Sequence, residues 1–405
     1  MLNKKRLYIL LCGVTVFAML LASCGTPSTP TAEQPSEEEP TAVEEAEEEP
    51  TEAEEAEPTE VEEAEEAEEE PLKVGLFLPD KKVARYETKD KPFFEQRLEE
   101  ICPDCELIAH IADSDPVEQK NAVEQAITNG ADVLVIMAVD TKAAAVMADD
   151  AKKNGIPVLA YSRLLENSDG VTAYIGWRLA DIGEAQAESL LKGLEEKGVE
   201  KPWDIAMING SPTDSNMPPI RDGAMEVFQP LIDAGELNIV RSVDVQDWDP
   251  AKAQAAMEQI LTASGGEIDG VYCMNDGMAG GAHAAMNAAG IEPVPPITGL
   301  DASLAAVQRI LVGEQYSTVY MPIEGMASLA AELAYELATT GEVPEDVADE
   351  TIDNGAKEVP SIANPVISVE KEDIGDVLIE GGFWTVEDIC TEDYEEACKE
   401  AGLLE

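Results

Sequence analysis

Polar and aromatic residues recur in this sequence directly after short apolar runs, and their side chains are of the kinds that bind hydroxyl groups. Arg85 and Tyr86 follow the first run, Ser162 and Arg163 follow the fourth, and Asp301 follows the last. Carboxylates accept hydrogen bonds from hydroxyls, guanidinium and amide groups donate them, and an aromatic face covers the apolar side of a sugar ring. The ten candidates are Lys82, Arg85, Tyr86, Ser162, Arg163, Trp177, Asn216, Trp248, Asn275 and Asp301. Together they predict a site that binds the hydroxyls of a sugar.

Alternating strand and helix patterns position these residues. Apolar, β-rich runs occupy 72–78, 107–111, 133–137, 158–161, 205–208, 239–243, 271–274 and 297–299. Helical patterns lie between them at 116–128, 143–154, 223–234, 250–263 and 280–288. Continuously apolar strands are buried on both faces, and strand–helix alternation produces parallel sheets. The pattern predicts an α/β protein with two doubly wound parallel-sheet domains, and ligands of such sheets bind beyond the carboxyl ends of the strands.

Some of the polar and aromatic residues also have purely structural interpretations. Asp276 precedes a helical pattern and is expected to be its N-cap, because an Asp there satisfies free backbone amides. Trp177 or Trp248 could belong to the core, although the Asp and Pro residues around Trp248 favour the site for it. Arg163 could instead form an ion pair that bridges the two domains.

The sequence contains few residues of the types that common catalytic sites use. His110 and His283 are the only histidines, which excludes a His-rich metal site and leaves almost nothing for a His-based triad. Asp214, Asp247 and Asp301 could still meet across a cleft as the carboxylates of a sugar hydrolase. A cleft that only binds is the simpler account, so we expect no catalytic residue, no metal and no cofactor.

At these residues the chain resembles the type I periplasmic binding proteins that serve sugar ABC importers, and most of all their D-xylose-binding branch. The likeness covers roughly 72–368, and its most specific stretches are 158–163, 209–223, 247–250, 275–276, 299–301 and 318–320. The resemblance implies that Arg85 donates to the sugar and that Tyr86 and Trp248 stack on its ring. It also implies hydroxyl contacts from Arg163, Asn216, Asn275 and Asp301.

Three positions depart from that family pattern. Ser162 stands where the family has Asp, Met321 where it has Lys, and Trp177-Arg178-Leu179 where it has an aromatic-Asp-Asn run. Each lost charged partner removes a hydrogen bond of about 1.5–3 kcal/mol. The sequence therefore predicts a neutral sugar, either a xylose-like pentose or a hexose.

The amino-terminal end has the pattern of a lipoprotein leader. Basic residues precede an uncharged apolar run at 7–22, which ends in Leu-Ala and is followed by Ser23 and Cys24. We expect 1–23 to be a signal peptide and Cys24 to be the lipidated first residue of the mature protein. The alternative is a transmembrane helix, for which the run is short. The segment 24–70 contains 21 Glu and no Lys or Arg, which predicts a disordered acidic tether.

The remaining cysteines fall into two local pairs and one single residue. Cys102 with Cys105, and Cys390 with Cys398, are expected to form disulfides in an oxidising compartment. A redox or metal site at the first pair is the alternative, but a second ligand pair is missing from the sequence. Cys273 lies in an apolar strand pattern and is expected to be a buried free thiol.

The charge of the chain limits the classes of partner that it can bind, and its length predicts more than one domain. The net charge of −58 argues against nucleic acid and anionic membrane surfaces. The expected domains are 71–176 with about 322–355, 177–321 with about 356–372, and a carboxyl-terminal extension at 373–405.

The resemblance implies closure around hinge crossings near Gly176, Tyr320 and about Pro360. It further implies a monomer outside the cell membrane that hands its sugar to an ABC permease or, alternatively, presents it to a chemoreceptor or histidine kinase.

Overall fold

The computed structural model of the protein describes residues 70–344, 347–348 and 350–404. The predicted leader, the lipidated Cys24 and nearly all of the predicted tether lie outside these residues. Within them, the helices are all too short or too polar to cross a membrane.

Twelve strands and eleven helices are assigned in the described ranges. The strands are β1 (Lys73–Leu78), β2 (Glu106–Ile111), β3 (Val133–Ile136), β4 (Val158–Tyr161), β5 (Ala173–Trp177), β6 (Trp203–Asn209), β7 (Leu237–Asp244), β8 (Gly270–Cys273), β9 (Thr318–Tyr320), β10 (Glu350–Asp353), β11 (Glu358–Asn364) and β12 (Ile367–Val369). The helices are α1 (Lys91–Ile101), α2 (Pro116–Thr128), α3 (Ala145–Lys153), α4 (Leu179–Glu196), α5 (Met217–Asp233), α6 (Pro250–Ser264), α7 (Asp276–Ala289), α8 (Leu304–Val312), α9 (Ile323–Thr340), α10 (Val386–Ile389) and α11 (Glu395–Glu400).

The first lobe is built on a seven-stranded sheet in the order β10-β11-β5-β4-β3-β1-β2. All its neighbours are parallel except β10, which pairs antiparallel with β11. Every residue of β3 and β4 is buried, because helices cover both faces of the sheet. This is the doubly wound arrangement that the continuously apolar runs predict.

The second lobe has a three-stranded parallel sheet in the order β7-β6-β8. Single parallel bridges extend it from Val271 to Ile297 and from Leu300 to Val319, and β9 pairs antiparallel with β12. The sequence predicts a strand at 297–299, but this run forms only one isolated bridge, at Ile297. Pro295 and Pro296 precede it and have no N–H to donate to a ladder.

The chain passes between the two sheets three times. It leaves β5 for α4 after Trp177, leaves β9 for α9 after Tyr320, and leaves β11 for β12 after Asn364. Two of the crossings are at the expected places, whereas the third comes after Pro360. The expected boundary at about 355 is therefore too early. β11 belongs to the first lobe, because it fills the parallel position beside β5, with Ser361 opposite Tyr174.

The structure pairs Cys102 with Cys105 and Cys390 with Cys398, and it leaves Cys273 as a buried thiol. The carboxyl-terminal extension packs against the hinge side of the second lobe. There the Trp384 indole Nε1 donates a hydrogen bond to the Ala302 carbonyl.

Candidate functional site

A small cavity lies between the lobes, where the carboxyl ends of both sheets face each other. Nine of the ten candidate residues line it, and they come from both lobes: Arg85, Tyr86, Ser162, Arg163, Trp177, Asn216, Trp248, Asn275 and Asp301. Seven further residues complete the lining: Val83, Leu179, Ile182, Asp214, Ile220, Leu300 and Met321. Fold topology brings these groups together, because residues that follow parallel strands collect at one edge of each sheet.

Arg85 is fixed from behind by a buried carboxylate. Its Nε and Nη2 atoms each donate to Asp90, at 2.8 Å, and the Tyr161 hydroxyl donates to the same carboxylate at 2.7 Å. A π-helical turn at Tyr86–Asp90 brings Asp90 back to the arginine. The Nη1 atom lies 3.7 Å from the Asp301 carboxylate of the other lobe. Asp90 is absent from the sequence-based candidates, since nothing in its sequence context marks it.

Arg163 connects the two lobes while it lines the cavity. Its Nε atom lies 2.7 Å from Asp214 of the second lobe, and its Nη2 atom donates to the Tyr86 hydroxyl at 3.0 Å. The domain-bridging alternative for this arginine therefore holds together with a position in the site. Burial raises the pKa of the Tyr86 phenol, which keeps the phenol neutral. The remaining phenol proton is then available to a ligand oxygen.

The Trp248 ring packs closely against Gly210, and its indole nitrogen is hydrogen-bonded. The indole Nε1 donates to Asp214 at 3.0 Å, and a Cβ at Gly210 would overlap the ring. Its backbone has a φ of 53°, and Ser162 and Asp301, which also line the cavity, have φ values of 61° and 100°. Positive φ is strained for residues other than glycine and concentrates at functional sites.

Two buried polar atoms of the cavity have no hydrogen-bonding partner within the described part of the chain. They are the Trp177 indole Nε1, a donor, and the Asn216 Oδ1, an acceptor. The Nδ2 of Asn216 is already used, because it donates across the cleft to the Ser162 carbonyl at 2.9 Å. A buried polar atom without a partner costs about 1–3 kcal/mol. These atoms therefore favour a ligand that both accepts and donates, as a hydroxyl does.

The loops after β8 and before α8 supply the acidic side of the site. Asn275, and not Asp276 as expected, is the N-cap of α7, since its Oδ1 accepts from the Met278 amide. The Asp276 carboxylate points away and accepts from the Ser303 amide and from Gln315. Burial raises the pKa of Asp301 to about 7, against the opposing charge of Arg85.

Lys82 is the candidate that the structure places elsewhere. Its Nζ lies at the mouth of the cleft, 3.3 Å from Asp249 and 3.9 Å from Asp247 of the second lobe. The backbone amides of Lys82 and Val83 donate to Asp80, and this turn carries the Lys82 side chain outward. The carboxylates that could have formed a hydrolase pair have other partners, because Asp214 binds Arg163 and Asp247 binds Lys252.

Comparisons with known proteins agree with this geometry. A family model described as a periplasmic binding protein domain matches residues 74–342. The D-xylose-binding periplasmic protein of Escherichia coli (strain K12) is 35% identical over 312 residues, which cover 77% of this chain and 91% of that protein. A multiple sugar-binding periplasmic receptor of Rhizobium radiobacter is 33% identical and covers 78% of this chain and 92% of its own.

Solved structures give the same result for the fold. An ABC transporter solute-binding protein from Clostridium phytofermentans with bound β-D-glucose superposes with a TM-score of 0.72 at 28% identity, covering 78% of this chain and 99% of that one. A carbohydrate transporter solute-binding protein from Chloroflexus aurantiacus in complex with D-glucose reaches a TM-score of 0.70 at 28% identity, covering 78% and 98%.

Proposed function

The chain belongs to the periplasmic binding protein family, and on that premise we propose that it captures a neutral monosaccharide between its lobes and delivers it to the permease of an ABC importer. Members of this family are solute-binding proteins and not enzymes. One observation carries the proposal: nine predicted sugar-binding residues from two lobes line a single cavity between the facing sheet edges.

The binding chemistry follows from the side chains around the cavity. Arg85, Arg163 and Asn275 donate to hydroxyl and ring oxygens, Asp301 accepts from hydroxyls, and the Trp248 ring covers an apolar face. Closing the lobes removes water, which strengthens each polar contact. A neutral ligand fits the charge balance, because each arginine already faces at least one carboxylate.

The experiment is a thermal shift assay of the globular part, residues 71–405, against pentoses, hexoses and their derivatives. A sugar at 100 times its dissociation constant adds about 2.7 kcal/mol to the free energy of unfolding. Asp301→Ala should abolish that shift and leave the melting temperature without sugar near the wild-type value. If no neutral sugar shifts the transition of the wild-type protein, the proposal is wrong.

A sensory role is the second candidate, and one comparison favours it, because the Rhizobium radiobacter relative is a periplasmic receptor. Gene deletion separates the two roles. Loss of sugar uptake supports delivery to an importer, whereas unchanged uptake with loss of the response to the sugar supports a sensor.

The site of action is outside the cell membrane, with the protein anchored through a lipid on Cys24. The apolar run at 7–22, followed by Ser23 and Cys24, supports this. Labelling cells with a radioactive fatty acid should mark the wild-type protein and leave Cys24→Ala unlabelled. Cys12→Ala, inside the apolar run, is the matched control and should be labelled. Label on Cys24→Ala would exclude this anchor.

The protein acts as a monomer in this proposal, since one chain supplies both halves of the cavity. Light scattering with and without sugar should give the mass of one chain. A sugar-bound dimer would contradict it.

A further inference from the structure

Three aliphatic side chains from the starts of two neighbouring helices line part of the cavity. Leu179 and Ile182 lie in the first turn of α4, and Ile220 lies in the first turn of α5. These three side chains are called the apolar wall below. They lie side by side because α4 and α5 approach closely: a Cβ at Gly183 would overlap the Ile220 carbonyl, and one at Gly223 would overlap that of Ala180.

The apolar wall limits what a ligand can present to it. The side chains of Leu and Ile neither donate nor accept hydrogen bonds, so a hydroxyl buried against them loses its water partners without replacement. Such a hydroxyl costs about 1–3 kcal/mol, which is roughly a 5- to 150-fold loss of affinity. The ligand edge that faces the apolar wall therefore carries no hydroxyl.

Asn216 is the N-cap of α5, and four other polar groups of the cavity lie on other elements. Arg85 follows β1, Arg163 follows β4, Asn275 follows β8, and Asp301 follows the bridge at Leu300. They require a ligand with several hydroxyls on its remaining edges. Met321, at the second hinge crossing, accepts a weak hydrogen bond at its Sδ from the Arg85 Nη1, at 3.7 Å.

We propose that the ligand is a 6-deoxyhexose, whose methyl group packs on the apolar wall while its ring hydroxyls bind the polar groups. This inference rests on the proposed function and narrows it to one class of sugar. A pentose has only a hydrogen on C5 to place against the apolar wall. A methyl group on C5 contacts the wall and buries one more carbon, which strengthens binding about fourfold. A hexose places its C6 hydroxyl against the wall.

The test compares sugars that differ only in the group on C5. Four matched series carry CH2OH, H or CH3 there: D-glucose, D-xylose and 6-deoxy-D-glucose; D-galactose, L-arabinose and D-fucose; L-galactose, D-arabinose and L-fucose; and L-mannose, L-lyxose and L-rhamnose. Isothermal titration gives a dissociation constant for each sugar. In the series that binds best, we expect the methyl sugar to bind about fourfold more tightly than the pentose. We expect it to bind at least about tenfold more tightly than the hexose.

Two results would overturn the inference. One is a hexose that binds as tightly as the methyl sugar of its series, and the other is a pentose that binds more tightly. Failure of all twelve sugars to bind would instead count against the proposed function, so the two failures are distinguishable.

A pair of variants links the preference to the wall. Leu179 is half-buried at the first position of α4, so Leu179→Asn is tolerated and offers a donor and an acceptor to a C6 hydroxyl. The affinity ratio of methyl sugar to hexose should fall towards one. Leu191→Asn makes the same change at a half-buried position of the same helix outside the cavity, and the ratio should stay at its wild-type value. An unchanged ratio in Leu179→Asn contradicts the inference.

Discussion

The two arginines of the cavity are oriented by carboxylates rather than by a ligand. Asp90 holds Arg85 with two hydrogen bonds, and Asp214 holds Arg163. A buried charge is tolerated when it is paired and hydrogen-bonded, and removing one partner of such a pair costs about 3–5 kcal/mol. Because the arginines are already fixed, a sugar does not lose affinity to ordering two long side chains.

Asp301 should make sugar binding depend on pH. Its pKa is raised to about 7 by burial, which exceeds the opposing effect of Arg85, and Asp276 and Asp90 raise it further. Hydroxyls that donate to Asp301 stabilise its ionised form, so binding lowers this pKa and releases a proton near neutral pH. Affinity should therefore rise as pH increases from about 6 to 8.

Isothermal titration in two buffers with different ionisation enthalpies measures the proton directly. Because a group with a pKa of about 7 is half protonated at pH 7, the wild-type protein should release up to about half a proton per sugar there, and Asp301→Asn should release none from this site. Proton uptake by the wild-type protein would show that the ligand prefers the protonated acid.

Trp177 should contribute through its indole nitrogen. Trp177→Phe keeps an aromatic ring beside Arg85 and removes the donor that has no protein partner in the described chain. The expected loss of binding free energy is about 0.5–1.5 kcal/mol. Trp203→Phe is the control, because that indole Nε1 donates to the Val199 carbonyl away from the cavity and its loss should affect stability alone. Equal affinities of wild type and Trp177→Phe would assign the nitrogen no role.

At the scale of elements, the predicted apolar runs include β1 to β4 and β6 to β8, whereas β5 and β9 to β12 were not predicted as strands. β3 and β4 are continuous apolar runs, so composition alone located them. β11 lies between β10 and β5, but it is only half-buried and contains Pro360, so the sequence predicts a hinge there rather than a strand. Most site residues could be predicted because they follow the ends of predicted strands. The role of Asp90 and the outward direction of the Lys82 side chain depend on local backbone geometry that has no sequence signature.

A substitution in the loop after β6 should show whether sugar binding depends on the position of the Trp248 ring. Gly210→Ala places a Cβ where the Trp248 ring lies, so the indole must move. We expect a tenfold or greater loss of sugar affinity together with a changed tryptophan emission spectrum, since a displacement of about 1 Å is enough to break stacking and hydrogen bonds.

Gly325→Ala is the matched control. A Cβ at Gly325, within α9, meets nothing within 4 Å. This change should keep wild-type affinity and raise stability by up to about 1 kcal/mol, because alanine favours helix. Unaltered affinity in Gly210→Ala would mean that the position of Trp248 is unimportant for binding.

The whole molecule is described in a closed form, with bonds from lobe to lobe on several sides of the cavity. The Thr141 amide donates to the Thr213 carbonyl at 3.1 Å, and Asn216 reaches Ser162. Lys82 spans the mouth to Asp249. These contacts exist only when the lobes meet, so they stabilise closure whatever the ligand is.

Lys82→Met should weaken all sugars by the same factor. An exposed ion pair is worth about 0.2–1 kcal/mol, so the loss is up to roughly fivefold and should appear as faster dissociation. Salt should reduce the difference from wild type. Stopped-flow fluorescence measures both rates.

Lys252→Met is the control, because Lys252 contacts the same Asp247 from within the second lobe. Its removal should leave dissociation unchanged. Equal effects of the two substitutions would indicate a general response to lost charge rather than a contact between lobes.

The position of β11 beside β5 determines when the first lobe can complete its folding. The two strands are neighbours in the sheet, yet the entire second lobe except β12 lies between them in the chain. During synthesis, or during passage through an export channel, the first lobe retains an open strand edge until its last segment has emerged. Its sheet is completed only when almost the whole polypeptide is present, and until then the chain remains incompletely folded and able to thread through a pore.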